Sequence, residues 1–568
     1  MSGLDRMSFF GGDNISPAFG IDLGTTNSDI SVVKHGIYSE IIKLNKKDTI
    51  PSCVEWLGGD NFRVGWDAYK NKMEPNVAYS VKRIIGSDKK VTLTYKNETR
   101  EFTPEFISSL VLKELVKYAE VDYSKVKDVV ITVPAYFNQN QIEATIKAGN
   151  LAGLNVLTTF SEPTSASLLF NANIENMKKN KIVVFDLGGG TFDVSLLEIK
   201  KKASIPEIDK IYGFQSIEDK DSIVFRVLGT GGDTRLGGDD IDDNMLNLVL
   251  NSMKAKGLRV DLMSRVEIEK LRFQLEQYKK KNPMDIECRI EVNGEKEEFF
   301  ISKKLFEMAV KPVYDKTKRI MSSVLKGFDK SDIDQIVLVG GSTKSIFIRK
   351  FLEEDYPDIP ISSGLNPDLS VALGAGLEAK RQKFGDSKIQ VFNALPITLG
   401  ILMDDKVEPV IYQNQVLPYS KMVRATTFND NQSTIRVEVY QGNSKIPEEC
   451  VNLGSLVIDG IPEGKAGTVP IYIYLSVNAE GVLKCRVKVH DKEEEKTLVN
   501  LFSGNDNNEL ENLNPRLKKQ VVRWSRIISK MDKSKREEGM KLIDKLKNGL
   551  VKDAEVAKFI SENKPNEK

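Results

Sequence analysis

The chain is 568 residues long, more than one hydrophobic core can organise, so about two to four domains are expected. Apolar residues make up 40% and charged residues 29%, and 82 Lys and Arg balance 81 Asp and Glu, which argues against nucleic acid as the main partner. Cys53, Cys288, Cys450 and Cys485 form no Cys-x-x-Cys pair and His35 and His490 lie far apart, which excludes clustered zinc ligands and leaves chemistry to carboxylates, lysine, threonine and bound metal.

Residues 1–17 read as an N-terminal extension without a basic start and apolar stretch, so no secretory signal is expected. No run of about 18 apolar residues predicts a membrane span. A cytoplasmic setting follows from both and suits the unpaired cysteines. Then comes the most informative pattern. Residues 19–31, FGIDLGTTNSDIS, align without gaps to residues 183–195, VVFDLGGGTFDVS. Asp22 meets Asp186, Gly24 meets Gly188 and Asp29 meets Asp193. Each copy is an apolar strand, a turn of Asp, Gly and Thr, and a second strand, which predicts a β-hairpin. Two copies predict two similar lobes facing each other.

Between the copies, Val129–Val133 reads as a buried strand and Asn140–Leu151 as a helix. Beyond them, Ile223–Leu228 runs into Gly231, Gly232 and Asp233, and Ile336–Val339 into Gly340, Gly341 and Ser342. This alternation predicts an α/β architecture to about residue 386. After Lys388 short alternating strands take over, at Ser433–Tyr440, Ile471–Val477 and Val482–Val489, predicting an antiparallel β domain. A polar stretch, Gly504–Asn514, is followed by two helical patterns, one with Leu517, Val521, Trp524 and Ile528 on one face.

Hairpin tips of Asp, Gly and Thr suit phosphate. Glycine admits close backbone approach, turn N–H groups donate to phosphate oxygens, and carboxylates hold Mg²⁺, usually through its waters. No G-x-x-x-x-G-K-[ST] occurs, so a P-loop is excluded. Gly374-Ala-Gly376-Leu-Glu-Ala379 fits a loose dinucleotide fingerprint but lies within a helical stretch and is set aside.

These motifs resemble the heat-shock 70-kDa chaperone family. GIDLGTTNS (20–28), VVITVPAYFNQNQ (129–141), SEPTSAS (161–167), FDLGGGTFDVS (185–195), GDTRLGGDDID (232–242), LVGGSTK (338–344) and NPDLSVALGAGLEA (366–379) occur in the family's order. The resemblance implies an actin-like, ribonuclease-H-like two-lobed ATPase domain (18–387), a linker (388–394), a β-sandwich peptide-binding domain (395–504) and a short helical lid (505–568). It implies ATP or ADP with Mg²⁺ and K⁺. Gly24, Thr25, Thr26 and Gly188, Gly189, Gly190 and Thr191 would grip phosphate, Asp22 and Asp186 would flank Mg²⁺, and Asp193 would help hold K⁺. Glu162 would orient the attacking water. Lys70, in VGWDAYKNK, is the best match for the catalytic lysine, with Lys72 as the near alternative. Catalysis thus rests on Lys70, Glu162, Asp186 and Thr191. Gly231, Gly232, Asp233, Glu269, Arg272, Gly340, Gly341, Ser342, Lys344 and Asp368 would line the nucleotide. Val407, Phe428, Ile435 and Val437 are candidates for the peptide channel, each with plain core packing as the alternative.

The departures matter as much. The linker, Lys388-Ile-Gln-Val-Phe-Asn393, lacks flanking acids, and Gln390 interrupts its apolar run, which puts domain coupling in question. Phe273 and Glu276 replace a basic residue and a serine on the adenosine-facing helix, and Glu276 adds negative charge near a polyanion, predicting weaker nucleotide binding. Ile142 stands where the family carries arginine. The expected function is an ATP-dependent chaperone that binds unfolded or nascent polypeptide, served by a J-domain co-chaperone and a nucleotide exchange factor. The alternative is a weakly or non-hydrolysing, nucleotide-bound adaptor, working at the ribosome with a J-domain protein or as an exchange factor.

Overall fold

The computed structural model describes residues 17–33, 39–123, 126–169, 179–201, 222–281, 286–292, 295–362, 366–384, 389–479, 481–502 and 553–562, with isolated positions between 524 and 546. For residues 286–292 and 295–300 only the backbone is described. The expected N-terminal extension and most of the expected lid, including Leu517, Val521 and Ile528 of the expected face, lie outside the described residues. The chain divides into one unit through Gly504 and a second from Asn505. In the second, helix 553–562 is described.

The first lobe is built on a hairpin of β1 (Ala18–Asp22) and β2 (Asn27–Val33), extended by β3 (Glu40–Ile41) and the short β4 (Ile50–Pro51). A short helix, α1 (Trp66–Tyr69), leads to a 3-10 turn at Val81–Ile84. Next come β5 (Asp128–Val133), α2 (Gln139–Leu151), β6 (Asn155–Ser161) and α3 (Glu162–Ser167). Helix α2 starts where Asn138 accepts from the Gln141 N–H while the Gln141 side chain accepts from the Asn138 N–H. The sheet order is β6-β5-β1-β2-β3; β5 and β6 run parallel to their neighbours and the rest antiparallel.

The second lobe repeats this plan. Its hairpin is β7 (Lys181–Leu187) and β8 (Phe192–Lys201), followed by β9 (Ile223–Asp233), α4 (Gly238–Ala255), α5 (Arg265–Lys280) and α6 (Lys303–Val324). Strands β10 (Gln335–Val339) and β11 (Ile361–Ser362) complete it. The order β11-β10-β7-β8-β9, with β10 parallel to β7 and β9 antiparallel to β8, matches the first sheet strand for strand. The sequence echo is therefore a repeat of topology. Helix α7 (Ser370–Phe384) then returns to the first lobe. It lies so close to β1 that a Cβ on Gly20 would stand 2.1 Å from the Gly376 nitrogen. The glycines of the discarded fingerprint serve this close packing.

The second sheet gains a sixth strand, β12 (Ile389–Phe392), parallel to β9. The chain then enters two four-stranded antiparallel sheets. One is ordered β14-β13-β16-β17, from β13 (Leu399–Met403), β14 (Lys406–Ile411), β16 (Thr434–Gln441) and β17 (Val451–Asp459). The other is β15-β18-β19-β20, from β15 (Tyr419–Thr426), β18 (Pro470–Val477), β19 (Val482–Val489) and β20 (Lys492–Asn500). Alternate residues of both sheets, such as Val437, Val439, Ile471, Ile473, Leu483 and Cys485, meet in one core, as period-two patterning requires.

This β region is docked on the α/β region by polar contacts. The Gln139 N–H donates to Gln441 Oε1 (2.8 Å), the Thr230 N–H to Asn414 Oδ1 (2.8 Å), and Asn443 Nδ2 to the Tyr136 hydroxyl (2.9 Å). Beneath this junction Ile142 packs with Ile85, Val133 and Phe137 in a small apolar cluster. The linker, despite its departures, is docked as an edge strand.

Candidate active site

The hairpin tips of the two lobes face each other. A Cβ on Gly189 would stand 1.8 Å from Thr26 Oγ1, and one on Gly190 would stand 2.7 Å from the Thr25 methyl carbon. Only glycine fits tips this close. The first tip is braced by Ser52, whose hydroxyl donates to the Gly24 carbonyl (2.8 Å) and shares a hydrogen bond with Ser28 (2.8 Å). The second is braced more heavily. Gly188 donates to the Thr191 carbonyl (3.0 Å), Gly238 and Asp239 donate their N–H groups to the carbonyls of Gly188 (3.0 Å) and Gly189 (2.7 Å), and Ser342 Oγ donates to Gly188 O (2.8 Å).

Register places a pair of carboxylates below each tip: Asp22 opposite Asp29, and Asp186 opposite Asp193. Cross-strand partners point to the same face of their sheet. Thr132 Oγ1 donates to Asp22 (2.7 Å), and the Tyr136 N–H donates to Asp193 (3.2 Å). Glu162, at the start of α3, accepts from Lys82 Nζ at 2.5 Å, with both side chains buried.

Five acids and one buried lysine leave the floor of the cleft with excess negative charge. Desolvation, reinforced by Glu162, pushes Asp22 up to about 7. Asp186 is held well above the carboxylate range by burial, then by Glu162 and Asp193. Asp193 is raised by burial and Glu162, and Asp29 by burial and Asp22. Lys82 is raised as well, which in its case keeps the charge. Burial disfavours its charge, but Glu162 and then Asp22 more than offset this and raise it. Thr25 Oγ1 and Asp29 Oδ1 are buried with no partner. Surplus carboxylate charge and unsatisfied oxygens are what a cation would relieve, so the residues fit Mg²⁺ and K⁺. Among the described residues no trio of Asp, Glu, His or Cys converges tightly enough to chelate a metal directly. Ligation through water and phosphate oxygens fits that spacing.

The lysine expected from sequence is displaced. Lys70 is exposed and pairs with Asp67 at 2.7 Å, away from the carboxylates. Its near alternative, Lys72, is buried against Glu276 at 2.6 Å. The lysine among the carboxylates is Lys82, carried by the Val81–Ile84 turn. Its neighbour Arg83 reaches into the second lobe, to Asp240 at 3.1 Å and the Arg235 carbonyl at 2.8 Å. The signal in the sequence was a Lys-Arg pair set among apolar residues in VAYSVKRIIG, where a solvated lysine has no reason to sit.

The other expected residues divide. Gly232 touches the floor, since a Cβ there would stand 2.7 Å from Asp193 Oδ1, whereas Gly231 faces Val324 and Ile320 of α6. Asp233 accepts from the Arg235 N–H (2.8 Å). Gly340 abuts Asp186, with a Cβ position 2.6 Å from Oδ1, Gly341 lies beside Asp368, and Lys344 pairs with Asp368. On α5, Glu269 accepts from the Tyr79 hydroxyl (3.2 Å) and Arg272 pairs with Asp243 (2.9 Å). Phe273 rests on the Tyr69 ring at 5.6 Å. The charge expected from Glu276 is already neutralised. It is held between Lys72 and Lys280 (2.6 and 2.7 Å) and accepts from Tyr69 (3.2 Å). Burial works against its charge, yet the two ammonium groups bring it down to about 2.

In the β region, Ile435 and Val437 lie in the core between the sheets, which is the packing alternative. Val407 is buried and Phe428 is 69% exposed.

The class defined by this architecture is a two-lobed α/β protein with an acidic cleft between its lobes, joined to an antiparallel β region. The sequence profile of the family described as Hsp70 protein matches residues 18–205 and 214–567. The chain is 34% identical over 514 residues to the chaperone protein DnaK of Mycoplasmoides gallisepticum, covering 87% of this chain and 82% of that relative. It is 32% identical over 494 residues to the chaperone protein DnaK of Metamycoplasma hominis, covering 84% and 78%. The chain belongs to the Hsp70 family and is a DnaK-like chaperone. No helix among the described residues is long and apolar enough to cross a membrane.

Proposed function

We propose that the chain is an ATP-driven chaperone that hydrolyses ATP in the cleft between its lobes and uses the nucleotide state to set its affinity for extended polypeptide. The observation that carries this reading is the buried Lys82–Glu162 pair, set among Asp22, Asp186 and Asp193 below two facing Gly-Thr tips.

Each group has work to do on a bound triphosphate. Gly188, Gly189, Gly190, Thr25, Thr26 and Thr191 offer N–H and hydroxyl donors to phosphate oxygens. Mg²⁺, when bound, supplies positive charge to the phosphates and is held near Asp22 and Asp186, with K⁺ near Asp193. Lys82, kept charged by Glu162, stabilises the charge that develops on the transferred phosphoryl group. Glu162 has its second oxygen left to orient the attacking water. Gly340, Ser342, Asp368, Glu269 and Arg272 form the nucleoside side, and Tyr69 and Phe273 offer ring faces there.

Docking of β12 on β9 and the Gln139–Gln441 and Thr230–Asn414 bonds give the cleft a physical route to the β region. Unfolded or nascent polypeptide is the substrate, with a J-domain protein and an exchange factor as partners. The adaptor reading is favoured by one feature, the Lys72–Glu276–Lys280 lattice, which ties the two lobes together and would slow nucleotide turnover.

Single-turnover ATP hydrolysis with Mg²⁺ and K⁺, with and without a J-domain, tests both. Turnover that rises with the J-domain and is lost in Lys82→Ala and Asp186→Asn is expected. Tight ATP binding with no turnover above those variants would leave the nucleotide-bound adaptor.

A further inference from the structure

Strand β12 is both the outer strand of the second sheet and the chain that leads into the β region. Its register with β9 runs Ile389 to Ile223, Gln390 to Val224, Val391 to Phe225 and Phe392 to Arg226. Ile389 and Val391 pack against the apolar cluster that holds Phe225, Val227 and Ala394. Gln390 interrupts this pattern. Its side chain is buried, at 9% exposure, and neither its carboxamide oxygen nor its nitrogen has a hydrogen-bond partner.

A cavity of about 430 Å³ runs alongside residues 389–394. The carboxamide atoms are themselves closed off, so the cavity does not hydrate them. Other polar groups on the cavity wall are paired with one another. Ser195 shares a hydrogen bond with Thr230 (2.9 Å), and Glu378 accepts from Arg381 (2.7 Å) and Gln382 (2.7 Å). The carboxamide is thus dry and unpartnered when β12 is docked, and fully hydrated when β12 is free.

A buried amide without a partner shifts such an equilibrium by about ten- to a hundredfold toward the hydrated state. The contacts that oppose it are the β9 ladder, the apolar packing of Ile389, Val391 and Phe392, and hydrogen bonds that water can replace, among them Gln139–Gln441, Thr230–Asn414 and Gln413 Nε2 to the Thr230 carbonyl (3.1 Å). We propose that Gln390 is a release element built into the interdomain strand: its unpartnered carboxamide weakens docking of β12 and keeps the strand exchanging between the docked and free forms. The inference concerns docking alone and stands whether or not the cleft hydrolyses ATP.

Hydrogen exchange of the backbone amides at 389–392, in the full chain without nucleotide, reads this equilibrium directly. Gln390→Met keeps the length of the side chain and removes the polar group, so protection there should rise about tenfold or more, with β5 unchanged. Gln390→Glu buries a charge instead, and protection at β12 should fall while β5 holds. Equal or lower protection in Gln390→Met, with β5 intact, overturns the proposal, because the carboxamide would then be contributing to docking. If Gln390→Met loosens β5 as well, the glutamate variant decides: unchanged or greater protection at β12 overturns the proposal.

Discussion

The floor of the cleft and its upper wall are both crowded with charge, yet they are built on opposite plans. On the floor, Asp22, Asp29, Asp186, Asp193 and Glu162 face one buried ammonium, Lys82, and two oxygens have no partner. On the wall, Glu276 is closed in by Lys72 and Lys280. Buried charge left unsatisfied fits a site built to take a ligand. A site that satisfies its charges internally is holding structure together.

That contrast can be broken most directly at Lys82. Lys82→Ala should lower single-turnover hydrolysis by about a hundred- to a thousandfold, with ATP still bound. A loss confined to affinity would move Lys82 from the floor's chemistry to its scaffold. On the wall the effect should be on stability. Glu276→Ala leaves Lys72 buried without its partner, and urea denaturation should show a loss of about 3 kcal/mol. No loss would show the lattice to be dispensable. Asp186→Asn should weaken Mg²⁺-dependent nucleotide affinity by roughly tenfold, read by titration with and without the metal.

The dependence on pH should carry opposite signs in the two regions. Glu276 falls from 4.5 to about 2, so its contribution is fully present above pH 4.5 and is lost as the pH drops toward 2. Asp22 rises from 3.8 to about 7, so its folded form keeps the proton. Ligand-free protein should therefore lose stability as pH climbs from 3.8 toward 7. Glu276→Gln should flatten the acid limb of the stability profile and Asp22→Asn the neutral limb. The same limb flattened by both would erase the distinction between floor and wall. The smallest effect belongs to Lys70→Ala, which removes an exposed pair with Asp67 and should leave the urea midpoint unchanged and turnover altered by less than about twofold.

What the sequence disclosed follows from the same contrast. The floor was legible because its chemistry is local: Asp, Gly and Thr at fixed spacing in two hairpins, repeated in register. The matching strand orders of the two sheets were foreshadowed by that repeat. The wall was not legible, because it is made by pairs such as Lys72 with Glu276, far apart in the chain and joined only when the lobes meet. Lys82 was missed for a related reason. Its place among the carboxylates is set by Glu162, also distant in sequence, while Lys70 offered a closer local match and faces solvent. Period two correctly announced the strands holding Ile435 and Val437, but alternation cannot say whether a buried face lines a channel or a core, and here both pack in the core.

The docked linker has one more physical consequence. Strand β9 would otherwise be the outermost strand of its sheet, eleven residues long and rich in buried apolar side chains. Residues 223–226 of that edge are covered by β12. Whenever β12 leaves, their outward N–H and C=O groups are exposed as a template for any extended chain nearby. The segment that joins the two regions thus also occupies an edge that is otherwise open to strand-by-strand pairing.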